Sequence, residues 1–304
     1  MMHKKFSTLP WAFLAVMIGG LGSILVQPEE KNPEETTNVE SSLVRVMTYN
    51  IRYDNPGDGV HAWPNRKERL AALIRVYGAE VVGVQEALRH QLEDLEVLLP
   101  SYTWIGVGRN ADGLGEYSAI IFREDLFEVL DSGTFWLSEQ PDEAGSQSWD
   151  AALPRIVTWA HLRRRESDAT FAVLNTHFDH RGEQARKESA KLITEKAAIL
   201  AKGLPIIVMG DLNTTDQEEP YAILAQTKLE DGRSLKDAFF HARLGHYGPT
   251  STWTGFTEIE PGRRIDYIWT SDDLVVEQHA ILGDRNEIGY PSDHLPVFAE
   301  IELE

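Results

Sequence analysis

The sequence predicts an α+β fold in which two largely antiparallel β-sheets pack face to face with helices outside. Strand-like segments, apolar and rich in β-branched residues, outnumber segments with helical spacing. Several of these segments follow one another with no helix between them, whereas a doubly wound parallel sheet alternates strands with helices. The chain contains no internal repeat of fixed period, so a repeat architecture is not indicated.

The first half of the folded region is predicted to contain more strands than helices. The segment 44–50 alternates like a strand and ends at Asn50, and Pro64 suits the first turn of a helix. The predicted strands are 44–50, 80–86, 102–109, 117–123 and 127–137, and the predicted helices are 64–76 and 88–99.

The second half begins with a predicted hairpin across a polar turn. A long helix then leads into a short apolar strand that begins at Pro205. The predicted strands are 155–162, 170–177, 205–211, 264–269, 274–282 and 295–303, and the predicted helices are 183–202, 219–225 and 235–240.

The stretch 205–213 ends in a carboxylate and a carboxamide two positions apart. Its apolar run predicts a strand that is buried on both faces, and Gly210 allows a turn or a close backbone approach. Because side chains alternate along a strand, Asp211 and Asn213 share a face. This pair suits a hard cation or an attacking water, although a turn that ends the strand would use the same residues.

Composition excludes several classes of function. The hydrophobic share of 42% in 304 residues supports a sizeable core, and the formal net charge is −19. So acidic a chain is not expected to bind duplex nucleic acid tightly without regard to sequence, although a small phosphorylated substrate, or nucleic acid on a local basic strip, stays open. The absence of cysteine excludes disulfides, thiolate zinc sites and cysteine nucleophiles.

The N-terminal region is predicted to direct export. Residues 1–28 combine a basic start with an uncharged apolar stretch, and are expected to be a signal peptide or an N-terminal membrane anchor. Residues 29–42 are acidic and polar and are expected to form a disordered linker. The folded domain is expected at 43–304, in the periplasm, secreted, or held outside the cytoplasm by the anchor.

Other predicted strand ends also carry polar residues. Each residue alone could cap a turn or pair locally, but several such ends in one chain indicate a site, because catalytic groups concentrate where strands end. Carboxylate and amide oxygens suit Mg²⁺ or Mn²⁺, and a histidine beside a carboxylate has its tautomer fixed. The residues are Asn50, Glu86, His177, Asp179, Asp211, Asn213, Asp266, Asp293 and His294.

Six motifs, in order, resemble those of the endonuclease/exonuclease/phosphatase superfamily. The resemblance implies a four-layer α/β/β/α sandwich like that of DNase I, and magnesium-dependent hydrolysis of phosphodiesters or phosphomonoesters. The motifs are Thr48-Tyr-Asn-Ile-Arg52, Gly83-Val-Gln-Glu86, Asn175-Thr-His177, Gly210-Asp-Leu-Asn213, Arg264-Ile-Asp-Tyr267 and Ser292-Asp-His294.

The resemblance implies roles at the metal and at the water. Glu86 would be the main metal ligand with Asn50 beside it, and Asp293 would assist the metal or the leaving group. Asp211 would be the base that orients or deprotonates the attacking water, and Asn213 would steady that water or the phosphate.

The resemblance also implies a set of phosphate contacts. His294, oriented by Asp266, would contact the phosphate and stabilise its developing charge. His177 would donate to a phosphoryl oxygen, where abasic-site endonucleases carry a tyrosine. Arg155 would face the site and neutralise phosphate, or else pair with a surface carboxylate.

Two features of the sequence indicate which branch of the superfamily the chain resembles. Arg52 stands where abasic-site endonucleases have a metal-binding aspartate, which argues against that branch. The segment 149–155 resembles a bacterial subgroup related to the carbon-catabolite-repressor-type deadenylases. Asp179 and His180 also resemble that subgroup, but no role follows for them.

The sequence therefore predicts a Mg²⁺- or Mn²⁺-dependent phosphoesterase that uses in-line attack by water. The substrate is left open between RNA or single strands, attacked from 3′ to 5′, and a small exported substrate such as a sugar phosphate, inositol phosphate or lipid headgroup. A non-catalytic binding module is a remote alternative, and no protein partner is indicated. A basic or aromatic groove leading to Glu86 would favour nucleic acid, and a closed pocket a small ester.

Overall fold

Two β-sheets packed face to face form the part of the chain, residues 43–303, that the computed structural model describes. The predicted export segment, 1–28, and the predicted linker, 29–42, lie outside the described residues. Within residues 43–303, no helix combines the length and the apolar character that crossing a bilayer requires.

The first sheet has the strand order β10-β12-β13-β1-β2-β4-β3. It contains two parallel contacts, β1 with β2 and β10 with β12, and its other neighbours are antiparallel. Its strands are β1 (Leu43–Asn50), β2 (Val81–Gln85), β3 (Tyr102–Ile105), β4 (Ile120–Arg123), β10 (His246–Tyr247), β12 (Val275–Ile281) and β13 (Val297–Glu302).

The second sheet has the order β5-β6-β7-β8-β11-β9 and a single parallel contact, β7 with β8. The prediction of two mostly antiparallel sheets is therefore confirmed. Its strands are β5 (Phe127–Trp136), β6 (Ile156–Arg164), β7 (Thr170–His177), β8 (Ile206–Asp211), β9 (Leu235–Asp237) and β11 (Asp266–Ser271).

Helices cover the outer face of each sheet and complete the predicted four layers. Helices α1 (Lys67–Val76) and α2 (Arg89–Leu98) pack on the first sheet, where Leu70 and Leu92 share a core with Val82. On the second sheet, Ile193 and Leu224 share a core with Val208. The helices on that side are α3 (Glu183–Ala201) and α4 (Glu219–Gln226), with a short α5 (Ala238–His241) after β9.

Alternation along the central strands places the polar strand ends between the two sheets. In β8, Ile207 and Met209 lie in the core between the sheets, and Ile206 and Val208 face the helices. Asp211 is next on the inner side, because side chains two apart share a face. Strand β1 follows the same rule, since its inner residues lead to Asn50. The apolar core between the sheets therefore grades into polar groups at one end.

The two sheets approach each other closely just below that end. A Cβ on Gly83 would lie 2.7 Å from the Cγ of Asn175, so glycine is needed where this amide crosses. Gln85 Nε2 donates to Asn175 Oδ1 at 2.6 Å, and Asn175 Nδ2 donates to the Val84 carbonyl at 2.9 Å. These motif residues therefore join the sheets beneath the site.

The predicted helix 235–240 is wrong in its first half. Leu235, Lys236 and Asp237 form β9 and pair antiparallel with Ser271, Thr270 and Trp269 of β11. Pairing at this free sheet edge overrides local helical spacing. Asp237 then accepts from the Phe239 N–H at 3.0 Å and caps the short helix α5.

Candidate active site

The ends of β1, β2, β7, β8 and β11 surround a pocket of about 520 Å³. Most of the predicted site residues line it, and Asn50 and Asp266 lie directly behind, bonded to residues of the wall. The lining residues are Arg52, Tyr53, Glu86, Arg109, Glu116, Leu153, Arg155, His177, His180, Asp211, Asn213, Trp253, Arg263, Asp293 and His294.

Asp211 is buried at the centre of the polar cluster. Its Oδ1 accepts from the Asn213 N–H at 2.8 Å, and its Oδ2 accepts from Asn50 Nδ2 at 3.0 Å. Burial raises the pKa of Asp211, and the charge of Asp266 raises it further, against the opposing charge of His294. A carboxylate with a raised pKa is a stronger base, as the predicted role requires.

His294 and Asp266 form a buried pair beside Asp211. His294 Nδ1 lies 2.9 Å from Asp266 Oδ2, and its Nε2 lies 3.7 Å from Asp211 Oδ2. Burial opposes protonation, but the charges of Asp266 and Asp211 outweigh it and raise the pKa of His294. The three side chains offer atoms within 4.8 Å of one another. Two carboxylates and an imidazole at this spacing can hold a cation, and His294 held by Asp266 also suits stabilisation of charge on a phosphoryl group.

Glu86 and Asp293 provide the oxygens that a divalent cation prefers. Glu86 Oε1 accepts from Asn50 Nδ2 at 3.1 Å, and Oε2 accepts from the Tyr53 N–H at 3.2 Å. Both carboxylates reach the pocket wall, and Arg52 lies 3.9 Å from each of them. Clustered carboxylate oxygens match Mg²⁺ or Mn²⁺, so the residues present fit the predicted cation.

Asn50 is turned so that its nitrogen, not its oxygen, faces the carboxylates. Its Nδ2 donates to both Glu86 and Asp211, while its Oδ1 accepts from the Arg52 N–H at 3.0 Å. In this orientation Asn50 holds the two carboxylates in place, and its role as a metal ligand stays a prediction. Ser292 Oγ donates to the Asn50 carbonyl at 2.7 Å and ties this strand end to the Ser292-Asp-His294 motif.

Arg52 supplies a fixed positive charge beside the predicted metal ligands. Its Nε and Nη2 bind Asp58 at 3.1 and 3.2 Å. Those hydrogen bonds, together with the charges of Asp293 and Glu86, outweigh burial and raise the pKa of Arg52. Arg52, which stands where abasic-site endonucleases carry an aspartate, therefore belongs to a cluster of ion pairs beside the pocket.

His177 and Asn213 share one wall of the pocket. Asn213 Nδ2 donates to the Phe178 carbonyl at 3.1 Å and lies 3.0 Å from His177 Nε2, which therefore accepts. Burial lowers the pKa of His177 well below its usual value, and the charge of Arg155 adds to this effect. A neutral His177 is consistent with that hydrogen bond. Its predicted donation to a phosphoryl oxygen stays a prediction.

Arg155 is held by the two residues for which the sequence indicated no role. It is only 4% exposed, and its Nε and Nη2 contact Asp179 Oδ2 at 3.4 Å and His180 Nδ1 at 2.9 Å. Its Nη1 is buried with no partner among the described residues. Burial opposes ionisation of Asp179, but hydrogen bonds lower its pKa to about 2. The donors are the backbone N–H groups of Gly182, Arg181 and Ala152.

Sequence reasoning missed several residues of the pocket. Arg109 and Glu116 pair at 2.6 Å across a glycine-rich turn. The predicted strands 102–109 and 117–123 flank this pair, but the observed strands end at Ile105 and begin again at Ile120, so the turn between them brings the pair to the pocket. The Trp253 ring stands at 88° to that of His294, and the Arg263 guanidinium lies 4.8 Å from the Trp253 ring centroid. Tyr53 and Leu153 were also missed.

Comparison with known proteins gives matches over most of the chain. A model described as the Endonuclease/Exonuclease/phosphatase family matches residues 47–294. The chain is similar to an endonuclease/exonuclease/phosphatase from Bacteroides vulgatus (39% identity, TM-score 0.82, 86% of this chain and 99% of that one). It is also similar to a mannosyl-6-phosphatase from Bacteroides thetaiotaomicron (34% identity, TM-score 0.79, 85% of this chain and 99% of that one).

One relative has a name of the carbon-catabolite-repressor type to which the sequence analysis related the segment 149–155. Carbon catabolite repressor protein 4 homolog 5 from Arabidopsis thaliana is 28% identical over 219 residues, 66% of this chain and 43% of that protein. The chain spans 43% to 65% of the length of the first curated relatives it matches. The resemblance predicted from the six motifs is confirmed.

Proposed function

The chain belongs to the endonuclease/exonuclease/phosphatase family, whose members are hydrolases of phosphate esters and generally depend on a divalent metal, and we propose that its substrate is a small molecule of the sugar phosphate class. Mg²⁺ or Mn²⁺ is the proposed cofactor. The charge balance of the pocket carries the proposal.

The pocket pairs its positive charges with negative ones. Four arginines and a protonated His294 line it together with four carboxylates, so the wall carries an excess of only about one positive charge. Arg52 is paired with Asp58, and Arg155 with Asp179. Binding a polynucleotide requires cations that follow successive phosphates, whereas one phosphoryl group needs only a local cluster of donors. Arg155 Nη1 and His294 provide such a cluster.

Two further observations support a small substrate. The chain has a formal net charge of −19, which repels a long polyanion. A solved structure that is 34% identical and is aligned over 99% of its length is a mannosyl-6-phosphatase. Both favour a single phosphate on a neutral carrier.

The proposed mechanism assigns one task to each buried group. Asp211 accepts a proton from the water as its oxygen attacks phosphorus, and Asn213 positions that water. His294, kept protonated by Asp266, and Arg155 stabilise the charge on the phosphoryl oxygens. The ester P–O bond breaks on the side opposite the attack, the leaving oxygen takes a proton from solvent, and Asp211 releases to solvent the proton that it accepted. Glu86 and Asp293 would hold the divalent cation, which would neutralise negative charge at this centre.

A substrate panel tests the proposal. The panel contains hexose 6-phosphates, inositol phosphates, a phosphorylated lipid headgroup and oligoribonucleotides, each assayed with Mg²⁺, with Mn²⁺ and with EDTA. We expect the highest kcat/KM on a hexose phosphate and loss of turnover in EDTA. Turnover that survives EDTA would contradict the dependence on metal, and a strong preference for oligoribonucleotides would contradict the substrate class.

The second candidate is 3′-to-5′ exonuclease action on RNA or single strands. The Trp253 ring at the pocket wall, with Arg263 over it, favours this alternative, because bases stack on such surfaces. The similarity to Carbon catabolite repressor protein 4 homolog 5 points the same way. The oligoribonucleotides of the panel decide between the two candidates.

A further inference from the structure

The Arg109–Glu116 ion pair forms a part of the pocket wall to which the proposed chemistry gives no task. Arg109 Nη1 lies 2.6 Å from Glu116 Oε2, and both residues line the pocket together with Glu86 and Arg155. Their side chains are 11% and 18% exposed, so the pair is largely buried and still open to a ligand.

The turn that carries the pair is anchored at both ends. The Arg109 N–H donates to the Glu116 carbonyl at 3.1 Å, and Trp136 Nε1 donates to the Arg109 carbonyl at 2.7 Å. Tyr117 bridges to Gly108 and to Ala87, the residue after Glu86. Rigid backbone supports of this kind hold side chains in position before a ligand arrives.

Each partner keeps unused hydrogen-bonding capacity. Within residues 43–303, the side-chain hydrogen bond of Arg109 is the one to Glu116, which leaves Nε and Nη2 of Arg109 and Oε1 of Glu116 without a protein partner. Burial raises the pKa of Glu116 and lowers that of Arg109. Partly desolvated groups with free donors and acceptors gain most from a ligand that completes their hydrogen bonds.

The chemistry of the pair selects the kind of group that completes it. A second phosphate would meet the carboxylate of Glu116, and an amine would meet the guanidinium of Arg109. A hydroxyl group can donate to the carboxylate and accept from the guanidinium at the same time. Two adjacent hydroxyls match the free atoms best, since Arg109 offers N–H donors on Nε and Nη2 and Glu116 offers Oε1 as an acceptor.

We propose that Arg109 and Glu116 bind adjacent hydroxyl groups of the leaving group and so make the enzyme selective for phosphate esters of sugars and other polyols. This inference rests on the proposed function and names the residues that determine its substrate class. Leu153 lines the same pocket and gives the carbon face of a sugar ring an apolar surface.

The test compares a hexose 6-phosphate with cyclohexylmethyl phosphate, which has a six-membered ring but no hydroxyl groups on it. The variants are Glu116→Gln and Arg109→Met, and thermal unfolding of each checks that it is folded. The control is Asp125→Asn, because Asp125 pairs with Arg123 at 2.6 Å outside the pocket lining.

The readout is the ratio of kcat/KM on the hexose phosphate to kcat/KM on the analogue. We expect each variant to lower this ratio at least tenfold, about the loss of one hydrogen bond to a charged group, and the control to retain it. An unchanged ratio would overturn the inference, as would an equal loss on both esters.

A binding measurement separates the inference from the proposed function. Calorimetric titration of both esters in EDTA needs no turnover, and the same loss of preference is expected in the two variants. If the wild type hydrolyses neither ester with metal present, the proposed function fails. The titrations then test the hydroxyl subsite by themselves. A wild-type preference for the hexose phosphate that Glu116→Gln abolishes upholds the subsite, and any other result overturns it.

Discussion

At the scale of single residues, backbone strain marks the pocket. Arg52, Glu86 and Asn213 all have positive φ, at 55°, 60° and 46°, although none of them is glycine. Such conformations cost about 1–3 kcal/mol each and persist only where the surroundings impose them. Glu86 is held by Asn50 and by the backbone of Tyr53. These hydrogen bonds hold its carboxylate at the pocket wall.

The pocket residues at the ends of strands could be predicted from the sequence, whereas the pocket residues in turns could not. Asp211 and His294 follow buried strands or stand in recognisable motifs, so type and spacing were enough to select them. Arg109 and Glu116 reach the pocket because one turn folds back through Gly113 and Gly115, both with positive φ. Nothing in local spacing shows where such a turn points.

Replacing Asp211 by Asn tests the assignment of the base. We expect Asp211→Asn to lower kcat on the preferred ester about 10²–10⁴-fold, the usual contribution of a general base. The side chain keeps its shape, and it loses a carboxylate whose burial already opposes ionisation, so the variant should remain folded. Steady-state kinetics and circular dichroism are the measurements, and turnover at the wild-type rate would contradict the assignment.

At the scale of elements, pairing partners explain which predictions held. Strand β8 was predictable because four consecutive apolar residues are buried on both faces, between the other sheet and the helices. Strand β9 was not, because its three residues become a strand only through pairing with β11. The strand predicted at 102–109 ends earlier, at Ile105, before Gly106 with a φ of 141°.

Gly210 shows how an element and its site depend on one residue. Its φ is 150°, and a Cβ there would overlap the backbone carbonyl of Thr176 in the neighbouring strand β7. We expect Gly210→Ala to lower the free energy of unfolding by about 1–3 kcal/mol through this overlap, in addition to backbone strain. Urea denaturation of the wild type and the variant measures this difference in the free energy of unfolding.

Gly203→Ala is the matched control for that experiment. Gly203 also has a positive φ, 88°, but a Cβ there would have no atom within 4 Å. It therefore reports backbone strain without a clash. Equal destabilisation of the two variants would show that the close approach of β7 and β8 does not require glycine.

At the scale of the whole molecule, the buried His279 and the partly buried His246 couple stability to pH. His246 Nδ1 lies 2.9 Å from His279 Nδ1, and His246 Nε2 donates to the Pro249 carbonyl at 2.8 Å, so the two rings cannot both be protonated without breaking the contact between them. Burial lowers the pKa of His246, and burial together with the charges of His246 and Arg264 lowers that of His279 to about 3. The pair links β10 to β12 at the edge of the first sheet.

The direction of the effect follows from proton binding. In the unfolded chain these histidines take up protons below their ordinary pKa of 6.5, whereas in the folded protein the pKa of His246 is lowered and that of His279 is lowered to about 3. The unfolded state therefore binds more protons as pH falls from 6.5, and the free energy of unfolding decreases, by up to about 1.4 kcal/mol per pH unit for each extra proton. Urea denaturation between pH 7 and pH 5 should show this decrease. The His279→Leu variant should show a shallower one, since its leucine cannot be protonated, and an equal slope in both proteins would exclude His279 as a source of the pH dependence.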